Sequence, residues 1–210
     1  MRLILAATAA VAALATPLVT PLFAQGAMPD MLHGAGAPGD VAAGTYVVDP
    51  DHTQVAFSVS HMGISPFAGT FSGGTGTLTI DPAAPTKAKV TVTLPTTSVQ
   101  TTSAKLTDEL KSADWLDTSK FPTATFTSGA VRSMGQGAEI DGMLTLHGVT
   151  KPVVLRVRFF GAATNPMSKK PSVGFLGRIA IKRSDFGVSK LVPLVSDETV
   201  LVINAAFQKQ

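Results

Sequence analysis

The side chains that could carry acid–base or metal chemistry are few, and their spacing keeps them apart. The four histidines, His33, His52, His61 and His147, include no pair at the i, i+3 or i+4 spacing that sets two ligands on one helix face. Cysteine is absent, which excludes a thiolate nucleophile, a lipid attached through an N-terminal cysteine, and stabilisation by disulfides. Neither a G-x-S-x-G elbow nor a G-x-x-x-x-G-K-S/T phosphate loop occurs. Asp49 with Asp51, and Asp108 with Glu109, fall in a turn and a helix and read as solvated surface. Gly34, Gly36 and Gly39 satisfy G-x-G-x-x-G, but no strand precedes them and no helix follows. The expectation is a protein that is not an enzyme, with no catalytic residue, no metal site and no cofactor.

His61 is the most informative of the four histidines. It continues the odd-numbered set Val55, Phe57 and Val59, so alternation predicts a ring pointing inward where that strand ends. A buried ring needs a partner, either a backbone carbonyl near Met62 and Gly63 or the polar head of a ligand. His147, between Leu146 and Gly148, reads as an exposed position in a hairpin turn.

The elements that must position these residues are strands. From Thr45 onward Val, Ile, Phe and Thr recur with period 2 in short runs punctuated by Gly, Pro and Asp. Val90 and Val92 alternate with Thr91 and Thr93, and Ala124 and Phe126 with Thr123, Thr125 and Thr127. With Tyr46 to Val48, Phe67 to Ile80, Ile140 to Leu146, Val153 to Phe160, Val173 to Lys182 and Thr199 to Phe207, this makes roughly eight or nine strands, the pattern of a sandwich or barrel. One helical signal interrupts them: Ser103 can cap a segment with Leu106, Leu110 and Ala113 on one side and Asp108 and Glu109 on the other. A doubly wound fold would need a helix after nearly every strand.

The chain of 210 residues is long enough for one domain with a sizeable core. Residues 1–24 carry Arg2, an apolar run from Leu3 to Leu14, and small residues up to Ala24, the pattern of a signal peptide cleaved after Ala24. Pro17 and Pro21 interrupt the run, which is shorter than the roughly 20 residues that a bilayer needs. The protein is therefore expected to be periplasmic or secreted. Residues 25–43, rich in Gly, Ala and Pro, read as a flexible tether, and 44–210 as the folded domain. A net charge of +3, scattered along the chain, gives no nucleic-acid footprint. Lys169-Lys170, beside Pro166 and Pro171, reads as a solvated turn.

At YVVDPDHTQVAFSVSHMG, SADWLDTSKFPTATFTS and LTLHGVTKPVVLRV the sequence resembles the YceI-like family. The resemblance extends from Gly44 to the C-terminus. Ser112 to Leu116, followed by Lys120-Phe121-Pro122, looks like the family's helix-to-strand corner, and Leu144 to Val153 like its central hairpin. His147 departs from the family, which often has a smaller polar residue there, at a turn position that tolerates either. The resemblance implies an all-β, lipocalin-like antiparallel up-and-down barrel of about eight strands, with one short helix between strands, that binds a polyisoprenoid or quinone-like lipid. It implies no catalytic residues.

A barrel of about that size is either filled by side chains or encloses one slender ligand. The predicted lining is Val55, Phe57, Val59, His61, Phe126, Leu144, Leu146, Phe159, Phe175, Gly177 and Ile179. Small residues among them, Gly177 above all, should leave room for a guest. The reading is an exported carrier of a long-chain apolar lipid, in transient contact with a membrane or a membrane protein. The alternative is a filled barrel acting as a stress-induced partner of a membrane protein.

Overall fold

A computed structural model describes residues 34–135 and 137–210; the predicted signal peptide and residues 25–33 of the predicted tether lie outside the described residues. The strands are β1 (Gly44–Val48), β2 (Gln54–His61), β3 (Ser65–Phe71), β4 (Thr75–Ile80), β5 (Lys89–Pro95), β6 (Gln100–Thr101), β7 (Thr123–Met134), β8 (Gly137–Leu146), β9 (Val149–Thr164), β10 (Pro171–Lys182) and β11 (Glu198–Lys209). Among the described residues a single α-helix, α1 (Ala104–Lys111), lies between β6 and β7.

These eleven segments form eight staves. β1 and β2 both pair with the same edge of β11, β1 through Val48↔Phe207 and β2 through Gln54↔Asn204. They are one long strand broken by the turn at Asp49 to Thr53. β3 with β4, and β5 with β6, are broken in the same way, since β2 pairs with β3 and β1 with β4, while β3 pairs with β6 and β4 with β5. β5 pairs with β7; from β7 onward each strand pairs with the next, antiparallel throughout, and β11 closes on β1. The result is a closed, eight-stave up-and-down barrel, in agreement with the sequence. Closure leaves these staves no free edge to pair with another chain.

Two bulges reset which residues face inward. On β7 the register shifts between Ser128 and Val131, and the inward set passes from even (Ala124, Phe126) to odd (Val131, Ser133). On β9 the shift opposite Gly174/Phe175 inserts Phe160, so that Phe159 and then Ala162 pack against the core. An extra residue in one strand inverts the alternation beyond it.

Residues 34–43, read from the sequence as part of a flexible tether, are packed against the barrel. The amide of Ala162 donates to the carbonyl of Ala35 (2.7 Å), and a Cβ on Gly34 would fall 1.6 Å from the carbonyl oxygen of Phe160, so only glycine fits this approach. Pro38–Asp40 form a 3-10 turn. Val41 is buried in the core beside Tyr46, Val48, Leu78, Val173 and Phe207. The Tyr46 hydroxyl donates to Ala42 (2.6 Å), and burial pushes its pKa up. Glycine and proline content suggested mobility, but the contacts that hold this segment are long-range and leave no period in the sequence.

The Ser103 hydroxyl caps α1 as predicted, accepting from the Leu106 amide at 3.4 Å. The helix stops at Lys111, short of Ala113, which is exposed. His147 also differs from expectation: it is half-buried, donates from Nδ1 to the Phe186 carbonyl (3.1 Å), and packs edge-on against Phe121 at 4.5 Å.

Candidate functional site

The inward faces of the staves surround an elongated cavity of about 470 Å³, within the range of sites for small molecules. It runs from Pro38, Pro85 and Gly135 at one end to Trp115, Arg183 and Val188 at the other. The β10 residues that line it, from Phe175 to Ile181, alone span about 15 Å along the axis, at 3.3 Å per residue and the usual strand tilt.

Val55, Phe57, Val59, Phe126, Leu144, Leu146, Phe159, Phe175, Gly177 and Ile179 all line this cavity. Most of these inward-facing side chains are only half-buried. In a filled barrel the same positions would be fully buried; here the area they keep faces the lumen. Phe159, Phe175 and Phe207 form an edge-to-face chain at one end, with centroids 6.1 and 6.3 Å apart. Phe57 and Phe71 meet at 5.7 Å on the β2–β3 side.

Two predicted features are corrected. His61 is exposed and does not line the cavity. The last rung between β2 and β11 is Ser58↔Val200; beyond it His61 faces the β10–β11 connection through an isolated bridge to Val195, so inward parity no longer means a place in the lumen. Gly177 lines the cavity without leaving room for a guest. A Cβ there would lie 3.2 Å from Cβ of Ile203 and 3.4 Å from Cδ1 of Leu155, so its missing side chain makes space for these two neighbours.

Sequence reasoning missed the residues that close the inner end. Arg183, only 6% exposed, donates from Nε to Ser196 (2.9 Å), from Nη1 to Val188 and Lys190 (2.9 Å each) and from Nη2 to Val195 (2.8 Å), all backbone carbonyls. Its guanidinium lies 5.4 Å from the Trp115 ring centroid. Burial pushes the arginine's pKa down, against the pull of Asp197. A charge so far from water persists only when its donors are satisfied, and here they tie the β10–β11 connection across the end of the barrel. The Trp115 indole in turn donates to Glu109 Oε1 of α1 (3.2 Å). Near this floor lies Thr199, on the rung opposite Ile181. Its Oγ1 is the one buried side-chain polar atom among the described residues without a hydrogen-bond partner. Among the same residues no cluster of His, Asp and Glu could hold a metal ion.

Comparison with known proteins agrees with this architecture. The model of the YceI-like domain matches residues 46–207. Protein YceI of Escherichia coli is 40% identical over 168 residues, covering 79% of this chain and 87% of that protein. The crystal structure of Burkholderia cenocepacia BcnA superposes with a TM-score of 0.66 at 26% identity, covering 76% of this chain and 98% of that one. A Saccharophagus degradans domain described as polyisoprenoid binding and implicated in plant cell wall breakdown shares the fold, with a TM-score of 0.61 at 13% identity over 80% of this chain and all of that one.

Proposed function

The chain belongs to the YceI-like family, and from that membership we propose that it is an exported carrier or store for a long-chain apolar lipid, a polyisoprenoid or an isoprenoid quinone, held inside the barrel. The observation that carries the reading is the hollow lumen: an apolar channel of about 470 Å³ along the barrel axis, lined by side chains that face inward and are only half-buried. Each methylene moved from water into such a lining contributes roughly 0.8 kcal/mol. A chain of several isoprene units can therefore bind tightly with little polar recognition, and selectivity among tails is loose. The shared fold of the S. degradans domain supports the ligand class at the level of architecture. A continuous cavity favours the carrier over the filled-barrel alternative. Export rests on the residue pattern of 1–24.

The test is mass spectrometry of an organic extract of the natively purified protein, beside the variant Ala205→Leu. Ala205 lines the lumen, half-buried, opposite Phe175, so leucine adds three carbons to the cavity. Burying them stabilises the delipidated protein by up to about 2 kcal/mol while lipid content falls. An extract without long-chain lipid, or a variant that keeps a full load, overturns the reading. Intact mass of the exported form tests the leader: removal of residues 1–24 is expected.

A further inference from the structure

The exposed part of the cavity's lining lies at one end of the barrel. The exposed residues that line it, Pro38, Gly39, Pro85, Ser133 and Gly135, all belong to the end formed by residues 34–43, the β4–β5 loop and the β7–β8 turn. At the opposite end the lining residues Trp115, Arg183 and Val188 are buried.

Charge is distributed unequally between these two ends. Around the mouth stand Lys87 in the β4–β5 loop, Lys89 at the start of β5, Lys209 at the end of β11, and Lys169 and Lys170 at the tip of the β9–β10 hairpin. That hairpin runs on to Thr164↔Pro171, six residues past the last rung that β9 shares with β8 at Arg158. The same end carries the carboxylates Asp40 and Asp81, which accept from the local backbone amides of Ala37 and Ala83. Arg132, Glu139, Asp141 and Arg156 form an ion-pair group on the outer wall. The floor end, in contrast, carries Asp108, Glu109, Asp114, Asp117, Asp185, Asp197 and Glu198 among its lysines. The mouth end also presents two exposed methionines, Met134 at the end of β7 (60% exposed) and Met167 in the β9–β10 connection (90%).

We infer that the mouth end of the barrel docks on an anionic lipid bilayer, with the lysines set against the headgroups and Met134 and Met167 against the upper acyl region. A lysine rim gains from a negatively charged lipid surface and is screened by salt. Docking with the mouth down lets an apolar tail enter without crossing water. The inference rests on the carrier reading for its purpose, but the adsorption it predicts can be measured independently of the cargo.

The experiment is co-sedimentation of the purified mature protein with vesicles of phosphatidylcholine alone and of phosphatidylcholine with phosphatidylglycerol, at low and high salt. Lipid content is measured on the same samples. The expected result is adsorption to the phosphatidylglycerol vesicles alone, lost at high salt. Lys87→Glu with Lys170→Glu should weaken it by about tenfold or more, with lipid content unchanged, because neither residue lines the lumen. The control acts at the other end, where Ile64 (81% exposed) and Leu194 form an apolar patch beside Met62, whose amide donates to Leu194 (2.7 Å). Ile64→Ser with Leu194→Ser should leave adsorption intact. Adsorption that survives the lysine reversals and disappears with the serine pair would place the floor on the bilayer and overturn the inference. So would no adsorption at low salt, which would leave the lysine rim to an acidic protein surface. Adsorption by a protein that never contains lipid would refute the carrier reading and leave the docking surface standing.

Discussion

Thr199→Val isolates the one buried hydroxyl that the barrel leaves unpaired. Thr199 is 8% exposed, on β11 opposite Ile181, and its Oγ1 has no protein partner. Valine keeps the β-branched shape and the strand preference of threonine and removes only the polar atom. An unmet buried donor costs about 1–3 kcal/mol relative to water, so the delipidated variant should be more stable than wild type by at least about 1 kcal/mol. For a domain of this length 1 kcal/mol corresponds to a rise in Tm of about 2–4 °C. Thermal and urea denaturation of delipidated protein would read this, and the lipid-loaded forms supply the second comparison. If the ligand's polar head reaches the floor and takes the hydroxyl, the stability gain shrinks or reverses in the loaded state. A delipidated Thr199→Val that is less stable than wild type would refute the reasoning, because the hydroxyl would then have a partner in the folded protein.

The remaining predictions concern packing, the corrected histidine and acid. Gly177→Leu should destabilise the delipidated protein by about 1–3 kcal/mol through overpacking against Ile203 and Leu155, the opposite sign to Ala205→Leu; equal stability of the two by urea denaturation would contradict the geometry. His61→Ala should leave lipid content unchanged and stability within about 0.5 kcal/mol, since the ring is exposed and outside the lumen; loss of lipid from this variant would restore the sequence-based placement. Asp197 accepts from the Ser184 amide (2.8 Å) and hydroxyl (2.7 Å), and the hydroxyl bond first of all holds its pKa below the ordinary carboxylate value. A carboxyl with a lowered folded pKa contributes stability in full above its unfolded pKa, near 4, and loses it as pH falls through the folded value. Asp197→Asn should therefore lower the urea midpoint at pH 6 and converge on wild type towards pH 3; a constant offset would show that the charge does not matter.

Period 2 is a local property and these strands are regular across the middle of the barrel, so the inward residues that alternation names there lie on the lumen wall. It could not show the bulges at Ser128/Val131 and beside Gly174/Phe175, where a single extra residue inverts the inward set with no mark in composition. The sharpest contrast is between His61 and Arg183. Both continue an inward odd-numbered series where its strand ends, Val55, Phe57, Val59 in one case and Val173 to Ile181 in the other. By parity alone a strand-end histidine and a strand-end arginine are equally inward. What separates them lies in the connections. The β2–β3 hairpin turns within three residues, Met62 to Ile64, and leaves His61 with no wall around it. The β10–β11 connection is long enough to fold back, and it brings the carbonyls of Val188, Lys190, Val195 and Ser196 to one point. Four acceptors converging on one guanidinium offset the cost of taking it out of water. The arginine thus becomes the floor of the cavity, and the histidine expected as its polar contact stays outside.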